Sequence, residues 1–180
     1  MILTPQILLS IAPQANRQII AGLIDPLNQF LPQYGITTQL RLDHFLGQSA
    51  EETAGFRTLT EYASGQEYEG RRDLGNTEPG DGPRFKGRGI FQLTGRANYT
   101  AMAARLGVDL VNNPEMAATP VIAVQTACVY WQTRGLNALA DADDIQGITR
   151  RINGGLNGLS DREIFTNRAD NVLSPLFPAN

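Results

Sequence analysis

Gly65, Gly70, Gly75, Gly80, Gly82, Gly87 and Gly89, with Pro79 and Pro83, punctuate residues 63–95 of this 180-residue chain. Glycine and proline interrupt helices and strands alike, so the spacing predicts a loop there with at most a small hairpin. A loop this long inside a compact domain is usually functional. The rest of the chain must therefore fold as helices around one irregular segment, and that segment is the first place to look for chemistry.

Helical signals dominate elsewhere. Thr4 can cap a short amphipathic helix with Pro5 at its first position. Asp25-Pro26 and Tyr34-Gly35 bracket another short helix. Thr38 can cap the next, which runs to about Ala54 and stops at Gly55. Within it Leu42, Phe45, Leu46, Ser49 and Thr53 recur at three- and four-residue intervals and predict one buried stripe. Arg96 to Leu106 reads as a helix ended by Gly107. Asn113-Pro114-Glu115 starts a short helix, and Thr119-Pro120 starts a long one through Trp131 to Gly135. Asp143 or Asp144 opens a helix through Arg151, and Ser160-Asp161-Arg162-Glu163 reads as a capping box for the last one. Ser174, Pro175 and Pro178 end the fold. The expected architecture is mainly α, one domain over residues 1–180, with a small β-hairpin beside a substrate cleft. Residues 1–36 form an N-terminal helical segment, 37–62 and 84–170 a core, and 63–83 a long cleft loop.

Composition removes several classes of function. Apolar residues make up 42% and charged residues 18%, the balance of a globular chain. A formal charge of −3 argues against nucleic acid and against electrostatic capture by an anionic envelope. The single cysteine, Cys128, lies among apolar residues and reads as a buried, inert thiol. No intramolecular disulfide can form, so a reducing compartment is tolerated. The apolar N-terminus lacks the basic start of a signal peptide, and its run is far short of the ~20 residues that span a bilayer. Synthesis in the cytoplasm without membrane insertion is expected, with release by some other agent if the substrate lies outside.

Two carboxylates stand out. Glu52 falls in the last turn of its helix, where unpaired carbonyls carry partial negative charge. Such surroundings favour a protonated carboxyl, the form a general acid needs. His44, Gln48 and Glu52 follow at four-residue steps and form a polar stripe. Glu61 lies nine residues on (61 − 52). In an unbroken helix that spacing would put the pair on opposite faces, but Gly55 lets the chain turn back. Arg88 to Thr94 alternates as a strand should, with Ile90, Gln92 and Thr94 on one face and Phe91 and Leu93 on the other. An amide and a hydroxyl on such a face suit sugar hydroxyls and a positioned water. At Thr149-Arg150-Arg151-Ile152-Asn153-Gly154-Gly155 a helix ends, and the Asn153 amide could pair with an N-acetyl group. Paired carboxylates beside neutral hydrogen-bonding side chains are the equipment for cutting a glycosidic bond.

Together these segments resemble glycoside hydrolase family 19, the plant-type chitinases and the related lysozyme-like endolysins of bacteriophages and prophages. The family's His-Glu-Ser/Thr-Gly-Gly-Phe is matched by Glu51-Glu52-Thr53-Ala54-Gly55-Phe56. Its Tyr-x-Gly-Arg-Gly-x-x-Gln-Leu/Ile-Thr/Ser is matched by Phe85 to Thr94, and its Ile-Asn-Gly-Gly by Ile152 to Gly155. The likeness covers nearly the whole chain and is closest to the phage-type branch, which also shows Gly95-Arg96-Ala97-Asn98-Tyr99 and Arg134-Gly135-Leu136-Asn137. The resemblance implies a lysozyme-like α+β fold and an inverting mechanism without cofactor or metal. On it Glu52 falls on the general acid and Glu61 on the base that activates water. Thr94 falls on the hydroxyl that helps hold that water, Gln92 on a sugar-contacting amide, and Asn153 on the residue that binds the N-acetyl sugar. Phe85 and Arg88 fall in the substrate-binding segment, and Arg168 on a distal arginine of an electrostatic network. Inversion needs room for a water, so the two carboxyl groups should lie about 6.5–9.5 Å apart.

The chain departs from the family where Glu51 replaces the usual His and Ala54 the first Gly. Glu67 and Glu69, in the loop, compete with Glu61 for the role of base. The leading expectation is a monomeric hydrolase of peptidoglycan glycan strands, released by a separate holin-like factor. The nearest rival is a chitinase on the same fold. A non-catalytic saccharide-binding module is a third reading, and a cysteine amidase using Cys128 and His44 a fourth. One His, one Cys and no His-Glu-x-x-His leave metal catalysis without ligands. Neither a phosphate-binding loop nor a Gly-x-Ser-x-Gly elbow is present.

Overall fold

A computed structural model describes residues 2–177; Pro178 lies outside the described residues. In chain order the α-helices are α1 (Pro5–Ile11), α2 (Arg17–Phe30), α3 (Gln39–Glu52), α4 (Asp81–Arg84), α5 (Arg96–Leu106), α6 (Pro120–Thr133), α7 (Leu136–Asp141), α8 (Ile145–Asn153) and α9 (Leu159–Leu173). The chain forms two compact units. One contains the residues up to Thr58 and from Cys128 onward, the other Leu59–Ala127. Among the described residues no helix is long and apolar enough to cross a membrane.

The first unit is helical, and the caps of α1 and α3 are the expected ones. Thr4 accepts from the Ile7 amide and Thr38 from the Arg41 amide. The short helix expected after Pro26 is instead the tail of α2. Pro26 sits inside that helix, because Ile20, Leu23, Pro26, Leu27 and Phe30 form one buried stripe. Burying four large side chains at about 1.5–3 kcal/mol each outweighs the roughly 3 kcal/mol that an internal proline costs. The stripe predicted on α3 is buried, and so are Asp43, His44 and Gln48. Close packing by α9 explains this: a Cβ on Gly47 would stand 2.8 Å from the Thr166 Cα. Phe45 meets Trp131 edge-on at 5.2 Å. The indole N–H donates to Asn137 Oδ1 at 2.8 Å, and the Asn137 amide donates to the Tyr34 carbonyl at 3.0 Å. Asn137 is thus a three-way tie, which gives the Arg134 to Asn137 segment a structural task. The Ser160 capping box does not form. Gly158, left-handed at φ 71°, is the N-cap, so α9 starts earlier and carries Arg162 in its first turn.

The second unit holds the glycine-rich segment. Its core is Phe85, Tyr99, Leu110, Ala117 and Ile122, with Leu93, Met102 and Leu106 packed against it. The segment is braced by polar side chains. Asp81, 1% exposed, accepts from the amides of Thr77 and Glu78 and from Arg96 Nε at 2.7 Å. Asn76 bridges the Tyr68 carbonyl and the Arg96 amide. Gly95, at φ +89°, leaves no room for a side chain: a Cβ there would stand 2.7 Å from the Leu74 carbonyl.

The expected β-hairpin is not formed. The only β pairing among the described residues is two isolated antiparallel bridges, Thr60 with Arg88 and Arg88 with Leu93. Residues 89–92 make a tight turn, closed by Arg88 N–H to Leu93 O at 3.2 Å and Leu93 N–H to Arg88 O at 2.8 Å. Gly89 and Gln92 both have positive φ, 81° and 48°. Ile90 and Phe91 are consecutive and both buried, so the alternation of residue types does not mark two faces.

Candidate active-site residues

Glu52 is the last residue of α3, and a guanidinium faces it. Arg162 Nη2 donates to Glu52 Oε1 at 2.6 Å, with the two side chains 3% and 17% exposed. Arg162 Nη1 donates to Gln48 Oε1 at 2.5 Å, and Gln48 Nε2 donates to Thr149 Oγ1 at 3.4 Å. The expectation of a carboxyl facing only helix-end carbonyls is corrected: an arginine from α9 closes that corner. Arg162 is the functional residue the sequence reading missed. The signal was available, because Arg162, Thr166, Ala169 and Leu173 form the buried stripe of α9. An arginine in an inward register needs an anion or acceptors to meet it.

Glu51 turns toward the start of α9, where a side chain on Gly158 would strike its Oε1. Burial raises the Glu51 pKa, Arg162 opposes, and Asp161 and Glu52 add to the rise. Tyr130 belongs to the same neighbourhood. Burial raises its pKa, and Glu52 adds to that rise. Its hydroxyl donates to the carbonyls of Arg151 and Ile152 at 3.3 Å each, which fixes the end of α8. Asn153, the last residue of α8, is exposed there, followed by left-handed Gly154.

Glu61 is no ordinary surface glutamate. Its Oε1 accepts from the Gly87 amide at 2.8 Å and its Oε2 from the Tyr68 hydroxyl at 2.9 Å. Its own amide donates to the Gly87 carbonyl at 3.0 Å. Lys86 Nζ donates to the Glu61 carbonyl at 3.3 Å and to that of Ala63 at 2.9 Å. A Cβ on Gly87 would stand 2.7 Å from Gln92 Oε1 and 3.1 Å from Glu61 Oε2 and so would displace one of these side chains. The Gln92 amide group and the Glu61 carboxylate therefore face the same bare stretch of backbone. Gln92 Nε2 donates to the Gly89 carbonyl at 2.9 Å, while its Oε1 is buried without a partner. Thr94 Oγ1 donates to the Gln92 carbonyl at 2.8 Å, so the two residues meet through the turn and not across a strand face.

The other candidates separate cleanly. Glu69 is committed to the loop, accepting from the amides of Gly80 and Gly82 at 2.7 and 2.8 Å. Glu67 is exposed on the short 3-10 turn Gln66–Tyr68. Phe85 is 0% exposed and packs at 5.3 Å, tilted, against Tyr99, so it belongs to the core. Arg88 points inward, donating to the carbonyl of Arg84 at 2.9 Å and to the Tyr99 hydroxyl at 3.0 Å. Arg168 donates to the Ile11 carbonyl at 3.3 Å; the arginine bound to Glu52 is Arg162. Burial pushes the Cys128 thiol up to about 12, which withholds the thiolate a nucleophile needs. His44 is wholly buried and bonded through Nε2 to Asp143 Oδ1 at 2.8 Å.

The profile of the family described as chitinase class I matches residues 34–150. A glycosyl hydrolase family 19 domain-containing protein of Haemophilus influenzae is 28% identical over 174 residues, covering 79% of this chain and 85% of that protein. Chitinase 8 of Oryza sativa subsp. japonica is 36% identical over 104 residues, covering 57% of this chain; the matched part is 39% of that enzyme. Among solved structures, chitinase C from Streptomyces griseus superposes with a TM-score of 0.76 at 22% identity, covering 95% of this chain and 92% of that one. The class IV chitinase from Zea mays gives 0.71 at 18% identity, covering 99% and 95%. These likenesses at low identity establish the fold. The profile match over more than half of the sequence establishes the kinship: the chain belongs to glycoside hydrolase family 19 and is a glycoside hydrolase.

Proposed function

We propose that the chain hydrolyses β-1,4 bonds between N-acetylated amino sugars with inversion, Glu52 acting as general acid and Glu61 as general base. The observation that carries this reading is the double fixation of Glu61, one carboxylate oxygen on a backbone amide and the other on a tyrosine hydroxyl. A base held at both oxygens keeps one orientation toward a water, and such positioning lowers the barrier. Arg162 does the corresponding work for Glu52, fixing one oxygen and leaving the other for the leaving group. In this mechanism Glu52 gives its proton to the glycosidic oxygen. Glu61 takes a proton from water as the oxygen attacks the anomeric carbon from the opposite face. Thr94 helps to hold that water, the Gln92 amide contacts the sugar, and Asn153 pairs with an N-acetyl group.

Peptidoglycan glycan strands are the substrate we propose, on the phage-type segments Gly95 to Tyr99 and Arg134 to Asn137. On that reading the enzyme acts on the wall after release by a pore-forming partner. Chitin is the second reading, favoured by the relatives that carry chitinase names. Purified sacculi and chitin oligomers, digested side by side and analysed by mass spectrometry of the new reducing end, separate the two. Muropeptide release supports the first reading; release of chitin fragments from chitin oligomers alone overturns it.

A further inference from the structure

The first unit carries a hollow of about 220 Å³, lined by Ala12, Pro13, Gln14, Ala54, Gly55 and Arg57 with Phe165 and Arg168 of α9. Its polar rim is cationic on both sides. Arg57 Nε donates to the Ala54 carbonyl at 2.6 Å, and Arg168 Nη1 donates to the Ile11 carbonyl at 3.3 Å. Each guanidinium is thereby fixed by the backbone through one of its five N–H groups. Neither arginine has a salt bridge among the described residues, and no acidic residue lines the hollow. That is unusual for a chain of net charge −3, in which acids outnumber Lys and Arg by 18 to 15. The floor is apolar: a Cβ at Gly55 would be in ordinary contact, 3.9 Å, with both Ala12 Cβ and Phe165 Cζ.

We propose that this hollow binds the free carboxylate end of a short alanine-containing peptide. Two oriented guanidiniums with no acid opposite match a carboxylate, which accepts from arginine in a bidentate fork. The apolar wall beside them, from Ala12, Pro13, Ala54 and Phe165, suits the small aliphatic side chain of alanine. The peptide's natural source, the stem peptides that peptidoglycan carries, rests on the function proposed above; the pocket itself does not. It lies on the turn that follows Glu52 and on the helix that supplies Arg162, so an occupied pocket would hold the substrate's peptide beside the acid's own scaffold.

The full chain should be titrated with N-acetyl-D-alanyl-D-alanine, with its C-terminal carboxamide, and with inorganic phosphate, followed by NMR shifts and calorimetry. The free acid should bind at least about tenfold more tightly than the amide, since each charge-assisted bond is worth a tenfold factor or more. R57Q combined with R168Q should lose about the same factor. R57Q alone, whose only backbone bond is local, keeps the test valid should the double variant melt early. Equal binding of acid and amide, wild-type binding by either variant, or phosphate binding as tight as the dipeptide would overturn the proposal. Dipeptide binding by an enzyme that leaves sacculi intact would uphold the pocket and overturn the peptidoglycan reading instead.

Discussion

Arg162 spans Gln48 and Glu52, holding the glutamate at 2.6 Å and the glutamine at 2.5 Å from one buried guanidinium. The two acceptors lie one helical turn apart on α3, while the donor comes from α9. Three side chains from two helices thus define where Glu52 points. A lysine ammonium, a single point charge, would not reproduce the fork. R162K should lower kcat on the order of 10²-fold, as a misplaced catalytic group does. R162Q should also destabilise the fold by about 3–5 kcal/mol, because it strands a carboxylate that is four-fifths buried. Thermal melts and initial rates on one preparation distinguish the two effects.

Tyr68 should matter to rate and little to folding. It is half-buried, and its hydroxyl donates to Glu61 Oε2 at 2.9 Å. Y68F should reduce kcat about tenfold or more, since hydrogen bonds to charged groups are worth about 1.5–3 kcal/mol. Burial, and then Glu61, push the Tyr68 pKa up to about 12. The hydroxyl therefore stays a donor through the working range, and wild-type activity should show no inflection from it below about pH 11. An unchanged rate for Y68F would remove the tyrosine from the account of the base.

Ala54 stands at φ 52°, between Thr53 and left-handed Gly55. A non-glycine residue in that region costs about 1–2 kcal/mol, part of which glycine returns through its larger unfolded entropy. A54G, which restores the residue usual in the family, should stabilise by about 1 kcal/mol and raise Tm by about 2–4 °C. A lower Tm would show that this turn carries no strain.

Asp43 predicts how stability follows pH. It is 2% exposed, with both carboxylate oxygens lacking partners. Burial first, then Asp170 and Asp143, raise its pKa to about 7. The nearby Gln39 amide eases the charge only in part, being bonded to Asp170 Oδ1 at 2.7 Å. The folded pKa lies above the unfolded one, so the contribution is fully present below about pH 4. It is lost as pH rises through about 7, and a shift of about three units is worth about 4 kcal/mol. His44, the next residue, works in the opposite sense: burial lowers its pKa, so its contribution is lost as pH falls. Tm should be lower at pH 8 than at pH 5, and D43N should shrink that difference. A Tm drop from pH 5 to pH 8 in D43N equal to the wild type's would assign the slope elsewhere.

Local signals made much of the fold legible. Thr4 and Thr38 cap as expected, and α5 runs from Arg96 to Leu106 with Gly107 left-handed behind it. Each of these depends on neighbours a few residues away. Pro26 misleads because the packed stripe of α2 overrides a local rule, and Ser160 because Gly158 offers an earlier start. Arg88 to Thr94 alternates in residue type while Gly89 and Gln92 reverse the chain. The carboxylates were legible as types in order. Their partners were not: Arg162 lies 110 residues from Glu52 and Gly87 lies 26 from Glu61. Only tertiary packing pairs them.

The central claim is that Glu52 donates the proton and Glu61 activates the water. Its most direct test is the turnover of wild type, E52Q and E61Q on purified sacculi and chitin oligomers, with proton NMR reading the anomer formed first. Each variant should fall by about 10²-fold or more, E61Q with little change in Tm and E52Q with a lower Tm because Arg162 loses its carboxylate, and wild type should release the inverted α-anomer. Wild-type turnover by either variant, or a first product of β configuration, would contradict it.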